Sequence, residues 1–141
     1  MSSHEDLPPY VLGFPGPLRD ELVAAVLSGR KTATTGLLAA YEAEAEPLPA
    51  AGDRAGLVDS DERVVAVVEV TEVRVVRLAD VGPGHAADEG EGYASVAEWR
   101  ASHERFWHSA ECREALGDPG FRVDDDTEVV LERFRVVALV P

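Results

Sequence analysis

The chain is predicted to be an α+β domain, from three observations. A helical period opens it, two long strand patterns dominate its middle and end, and a second helical block separates those strands. Residues 1–11 are taken as an N-terminal tail and residues 12–141 as a single domain. The prolines at 8, 9 and 15 keep a sustained period from starting before Gly16, so this stretch either docks through Tyr10, Leu12 and Phe14 or does not dock.

From Pro17 a helix begins with proline in its first turn. Leu18, Leu22, Ala25 and Val26 fall on the inward face, Arg19, Asp20 and Glu21 face outward, and Gly29 ends the helix. A short helix over Leu37 to Glu46 is stopped by Pro47 and Pro49. The turn Pro49 to Asp53 leads to a strand near Arg54 to Val58, and Asp59 to Glu62 turns the chain into a valine-dense strand from Arg63 to Leu78. The first half of that strand is apolar on both faces. It is therefore buried on two sides or bent around a core, as in small barrels.

One helical turn is expected at His85 to Glu89, inside a glycine-rich acidic connection. Ser95 with Glu98 forms a capping box for a helix that turns Trp99, His103, Phe106 and Trp107 inward. Ser109 caps a further short helix ended by Gly117, and Glu128 to Val140 alternates as a closing strand.

Across the 141 residues, 45% are apolar, which suits one core. Lys and Arg number 13 against 27 Asp and Glu, a formal charge of −14, so phosphate polymers and anionic lipid are repelled unless the few cations cluster. A signal peptide and a membrane span are not apparent, and Cys112 is the only cysteine, so a soluble cytoplasmic protein is the default. A lone cysteine on a charged helix reads as inert.

The cations do cluster once, at Gly29–Gly36. Arg30 and Lys31 there are followed by Thr32, Thr34 and Thr35. This segment either aims donors at an electron-rich ligand or only ends a helix and starts a strand. Lys31 could act as a nucleophile if deprotonated, or remain charged and stabilise an oxyanion, which asks less of the site. The acidic turn Asp88 to Gly92 is the second candidate, since a carboxylate on a glycine-flanked turn can be aimed into a cleft. Arg133, on an apolar strand face, needs a carboxylate partner or a cleft. His4, His85, His103 and His108 form no metal signature, and Asp124 to Asp126 lack the spacing of a calcium loop.

Together these motifs resemble the ASCH domain family: Gly29-Arg-Lys-Thr-Ala-Thr34 after a helix, the Pro49–Asp53 turn, Glu69–Val73, Glu89–Gly92, the Trp99–Phe106 helix and the closing Glu132-Arg-Phe134. The resemblance covers about Leu12 to Val137. It implies a PUA-like fold, a small curved β-barrel with surrounding helices, and a link to RNA through cleavage of single-stranded RNA or amide hydrolysis of acetylated cytidine. It further implies Lys31, Thr34 and Glu89 as catalytic residues, and the reading of the residues adds Arg30, Thr32, Thr35, Glu91 and Arg133 as substrate-binding neighbours. Departures from the amidohydrolase relative, namely the Trp99–Gly117 helical insert and Thr34-Thr-Gly36, bear on the substrate more than on the site. No cofactor, metal, membrane or DNA partner is expected; the expected partner is a nucleoside-like small molecule or single-stranded RNA. Three classes stay open: a hydrolase for a nucleoside-sized amide, an RNA-binding protein or ribonuclease, and a non-catalytic ligand sensor.

Overall fold

The computed structural model describes residues 6–141. The first part of the predicted tail, with His4, lies outside the described residues. The elements in chain order are β1 (Pro9–Tyr10), α1 (Pro17–Leu27), β2 (Ala33–Leu37), α2 (Leu38–Ala43), β3 (Arg54–Val58), β4 (Val64–Arg77), α3 (Pro83–Asp88), α4 (Val96–Trp107), α5 (Ala110–Leu116) and β5 (Glu128–Leu139). A 3₁₀ turn, Leu78–Asp80, follows β4. The fold is α+β and PUA-like, a curled half-barrel sheet with helices around it.

The five strands run in the order β1-β3-β4-β5-β2. Only β1 and β3 are parallel; the other pairs are antiparallel. Register shifts in the β4–β5 ladder between Val67 and Val68 and between Val70 and Glu72 bend these long strands and increase their twist. The curl shows in one contact: Tyr10 on edge strand β1 reaches past β3 and β4 to lie against Phe134 of β5, with ring centroids 5.5 Å apart. A flat sheet would keep those strands too far apart for this. Of the residues expected to dock this stretch, Tyr10 thus lies in a strand, Leu12 is buried, and Phe14 lies 5.6 Å from Phe106.

Two apolar clusters lie on the sheet. One joins Leu12, Val23, Val26, Leu57, Ala66, Val68 and Phe134 under α1. The other gathers Trp99, Trp107, Leu78, Val129 and Leu131 beneath α4 and α5. Each fully buried side chain of this size contributes about 1.5–3 kcal/mol, so both clusters hold the flanking helices firmly against the sheet. In the first half of β4, Ala66, Val68 and Val70 are buried and Val65, Val67 and Glu69 half-buried, so this half is covered on both faces.

The expected orientation of α1 is corrected by one residue. Arg19 is buried, at 4% exposure, whereas Leu18 is 38% exposed. The guanidinium turns inward because loop carbonyls accept its hydrogens, Gly13 O at 2.9 Å and Asp59 O at 3.4 Å, and Glu62 lies 3.6 Å away. It ties the N-terminal loop to the β3–β4 turn.

Candidate functional site

The Lys31 segment and the acidic turn meet because their backbones are bonded together. Thr32 N–H donates to Asp88 O at 2.8 Å, while Lys31 N–H donates back to Ala25 O of α1 at 3.0 Å. The approach is so close that Gly90, at φ +71°, has no room for a side chain. A Cβ there would lie 2.2 Å from Arg30 O. Glycine at this position is what lets Glu89 and Lys31 share one pocket wall.

Lys31 is buried, with Nζ 3.6 Å from Glu89 Oε1, 3.6 Å from Glu91 Oε2, and donating to Glu89 O at 3.4 Å. Glu89 is 1% exposed and is the centre of a wider network. Its Oε2 accepts from Thr35 Oγ1 at 2.6 Å and Trp99 Nε1 at 2.8 Å, and faces His85 Nε2 at 3.1 Å. Its Oε1 faces His103 Nε2 at 3.1 Å. Burial opposes ionisation of Glu89, but the bonds from His103 and His85 and the charges of His103 and Lys31 outweigh it and hold the carboxyl far below the usual range.

Helix α4 supplies much of this. Ser95 Oγ caps it by accepting from Glu98 N–H at 3.2 Å, and Trp99 and His103, four apart, project from one face. His103 Nδ1 faces Trp99 O at 2.8 Å while Nε2 faces the Glu89 carboxylate. Both acceptors lack hydrogens, so both ring nitrogens are donors and the ring is an imidazolium. Burial works against that charge, yet the hydrogen bond and charge of Glu89 raise the pKa of His103 above its ordinary value. The ring stacks on Trp99 at 4.3 Å and meets Trp107 at 5.3 Å.

A cleft of about 900 Å³ opens beside this network, and Lys31, Thr34, Thr35, Glu89, Glu91 and His103 line it. Thr34 faces Glu132 across the β2–β5 ladder, which places both side chains on one sheet face at the cleft. Glu91 is partly exposed, and burial, with Glu89 alongside, pushes its pKa above the usual glutamate value despite Lys31.

Three predicted binding residues are not brought there. Arg30 is exposed and donates to Ser28 Oγ at 3.0 Å, and Thr32 is exposed with its hydroxyl 3.4 Å from Asp88 O. Arg133 pairs with Asp88 at 2.7 Å and Glu72 at 3.4 Å, because its strand neighbour Glu132, not Arg133, takes the cleft-facing side. Sequence reading missed His85, Trp99 and His103 as partners of Glu89, and Tyr10 and Glu132 as cleft residues. His103 with Trp99 at helical spacing and the buried-strand carboxylate Glu132 were the available signals.

Among the described residues, Glu89, Glu91 and His103 also bring one possible metal-ligand atom each within 4.8 Å of one another. The Lys31 ammonium lies against both carboxylates, so a metal ion would compete with a cation already built into the chain.

Fold and site together define a small α+β domain with a PUA-like sheet and a ligand-sized cleft carrying a buried lysine–glutamate pair. A family model described as ASCH domain matches residues 11–138, and the chain belongs to that family. An ASCH domain from Lactobacillus crispatus is similar at 30% identity and TM-score 0.74, covering 93% of this chain and 80% of that one. A protein from Enterococcus faecalis is similar at 28% identity and TM-score 0.80, covering 94% and 77%. A mutant ZmASCH protein from Zymomonas mobilis, at 13% identity and TM-score 0.53 over 92% of this chain and 69% of that one, shares the fold. No curated protein matches this sequence. Among the described residues no helix is long and apolar enough to cross a membrane.

Proposed function

We propose that the chain is a hydrolase for an amide on a nucleoside-sized ligand, an acylated nucleoside being the reference substrate. The observation that carries this is convergence: Lys31, Thr34, Glu89 and Glu91 line one cleft of about 900 Å³, within the range of small-molecule sites. The alternative of a nucleic-acid polymer needs a basic track. Arg133 and Arg135 are instead engaged by Asp88, Glu72 and Glu69.

In this reaction water adds across the amide. The C–N bond breaks, hydroxide oxygen ends on the acyl carbon, and a proton ends on the leaving nitrogen. The Lys31 ammonium is positioned to stabilise the oxyanion. The Thr34 hydroxyl, which accepts or donates no hydrogen bond among the described residues, attacks or holds the attacking water. A carboxyl held as far below its usual range as Glu89 is a weak base, so Glu89 orients Lys31 and His103. Glu91, weakened as an acid by burial and lying at the cleft, carries the proton.

The test is hydrolysis of a panel of acylated nucleosides, acetylated cytidine included, beside cleavage of single-stranded RNA. Lys31→Ala is expected to lower amide turnover about 10²–10³-fold, the usual cost of losing one oxyanion donor. Equal and negligible hydrolysis by wild type and variant, with RNA cut, would sink the amidase reading. Ligand binding without turnover of either would make the domain a sensor.

A further inference from the structure

The same cleft holds a second buried carboxylate with a different environment. Glu132 is 4% exposed and lines the cleft. It accepts a hydrogen bond from the Tyr10 hydroxyl. Among the described residues it has no ion pair and no other hydrogen bond, so one of its oxygens is left without a donor. A buried carboxylate without a cation is costly, and the oxygen left without a donor is the one open to the cleft. The cations that line the cleft are paired with other carboxylates, Arg54 with Glu69 at 3.0 Å and Lys31 with Glu89 and Glu91 at 3.6 Å, and Tyr41, Asp53, Glu44 and Glu46 line it as well.

We propose that Glu132, held by Tyr10, is the recognition carboxylate of the cleft and takes an N–H donor of the ligand, for which the exocyclic amine of a nucleoside base serves as the probe. A complementary donor arriving from the ligand satisfies the free oxygen and rewards entry, whereas a ligand presenting a carbonyl there meets a like dipole. The placement agrees with burial pushing the Glu132 pKa above the ordinary range, against the opposing Tyr10 bond, with Asp53 adding to the rise. Tyr10 and Tyr41, both shifted upward by burial and then by the Glu132 charge, remain hydrogen-bearing phenols at neutral pH and can support the carboxylate. Because Thr34 is the cross-strand partner of Glu132, the donor-reading carboxylate lies beside the candidate attacking group. The inference rests on the cleft being a nucleoside-sized ligand site, and it does not require turnover.

The experiment is calorimetric binding of cytidine and uridine, which differ at one ring substituent, an amino group against a carbonyl. Wild type is expected to favour cytidine at least ~10-fold, the discrimination set by a buried polar group left unpaired by the wrong ligand. Glu132→Gln, which keeps the shape and removes the charge, should reduce that ratio to within about threefold, and Tyr10→Phe should reduce it partially. Lys31→Ala should leave the ratio intact while lowering any amide hydrolysis about 10²–10³-fold, and discrimination by a wild type that turns over no amide separates failure of the hydrolase reading from failure of this one. Equal binding of cytidine and uridine, absence of binding by both, or full discrimination in Glu132→Gln with native thermal unfolding would overturn it. If Glu132→Gln does not fold, an unchanged ratio in Tyr10→Phe overturns it and a reduced ratio supports it.

Discussion

Two glutamates, Glu89 and Glu132, stand in one cleft at nearly equal burial, 1% and 4% exposed, and differ in almost everything else. Glu89 is met by Thr35, Trp99, His85, His103 and Lys31; Glu132 is met by Tyr10. Their pKa values move in opposite directions accordingly, downward for Glu89 and upward for Glu132. Burial itself raises both. What decides the sign is whether the fold supplies donors, so a saturated carboxylate is part of the scaffold and an unsaturated one is available to a ligand.

The strongest way to break this comparison is to neutralise each in turn. Glu89→Gln strands Lys31 and His103 beside a neutral amide and is expected to cost about 3–5 kcal/mol, read from urea unfolding. Glu132→Gln should lie within about 1 kcal/mol of wild type in the same measurement, since it removes a charge that had no internal cation. Similar losses for both would erase the distinction. Gly90→Ala comes next: with φ +71° and a Cβ overlapping Arg30 O, the turn must move away from Lys31. About 2–3 kcal/mol of stability should be lost, and cytidine discrimination at Glu132 should outlast hydrolysis.

The smallest effect sharpens the Glu89 side through pH. His103, raised above 6.5 in the fold, contributes stability that is complete below that pH and is lost as pH rises through its folded value. Glu89, lowered from 4.5, contributes stability present above that pH and lost as pH falls through its folded value. The pair is therefore strongest between the two ordinary values. His103→Gln should cost about 1.5–3 kcal/mol near pH 6 and less in alkali, measured by unfolding across pH. A pH-independent difference would show that His103 is not charged in the fold.

Most elements of this chain are legible in its sequence. The Ser95 cap, the valine density of β4 and the alternation of β5 are local signals, and each produces the element it indicates. Lys31 with Glu89 is reachable through the order of motifs, and they do share one cleft. The rotation of α1 is not, because Arg19 looks like a solvent-facing residue until the Gly13 and Asp59 carbonyls, from loops on either side of it in the fold, accept its hydrogens.

Arg133 and Glu132 mark the limit most sharply. They are adjacent, and alternation says only that they point to opposite faces; which face carries the cleft depends on the curl that brings Tyr10 over β5. The same holds for His85, Trp99 and His103, whose spacing marks them as packed residues and whose convergence on Glu89 requires α3 and α4 to meet. Sequence alone determined most of the elements and the family, because periodicity, caps and motif order are properties of neighbouring residues. Tertiary structure alone decided which carboxylate is satisfied and which is left open to a ligand, because hydrogen-bond saturation is a property of residues brought together from across the whole chain.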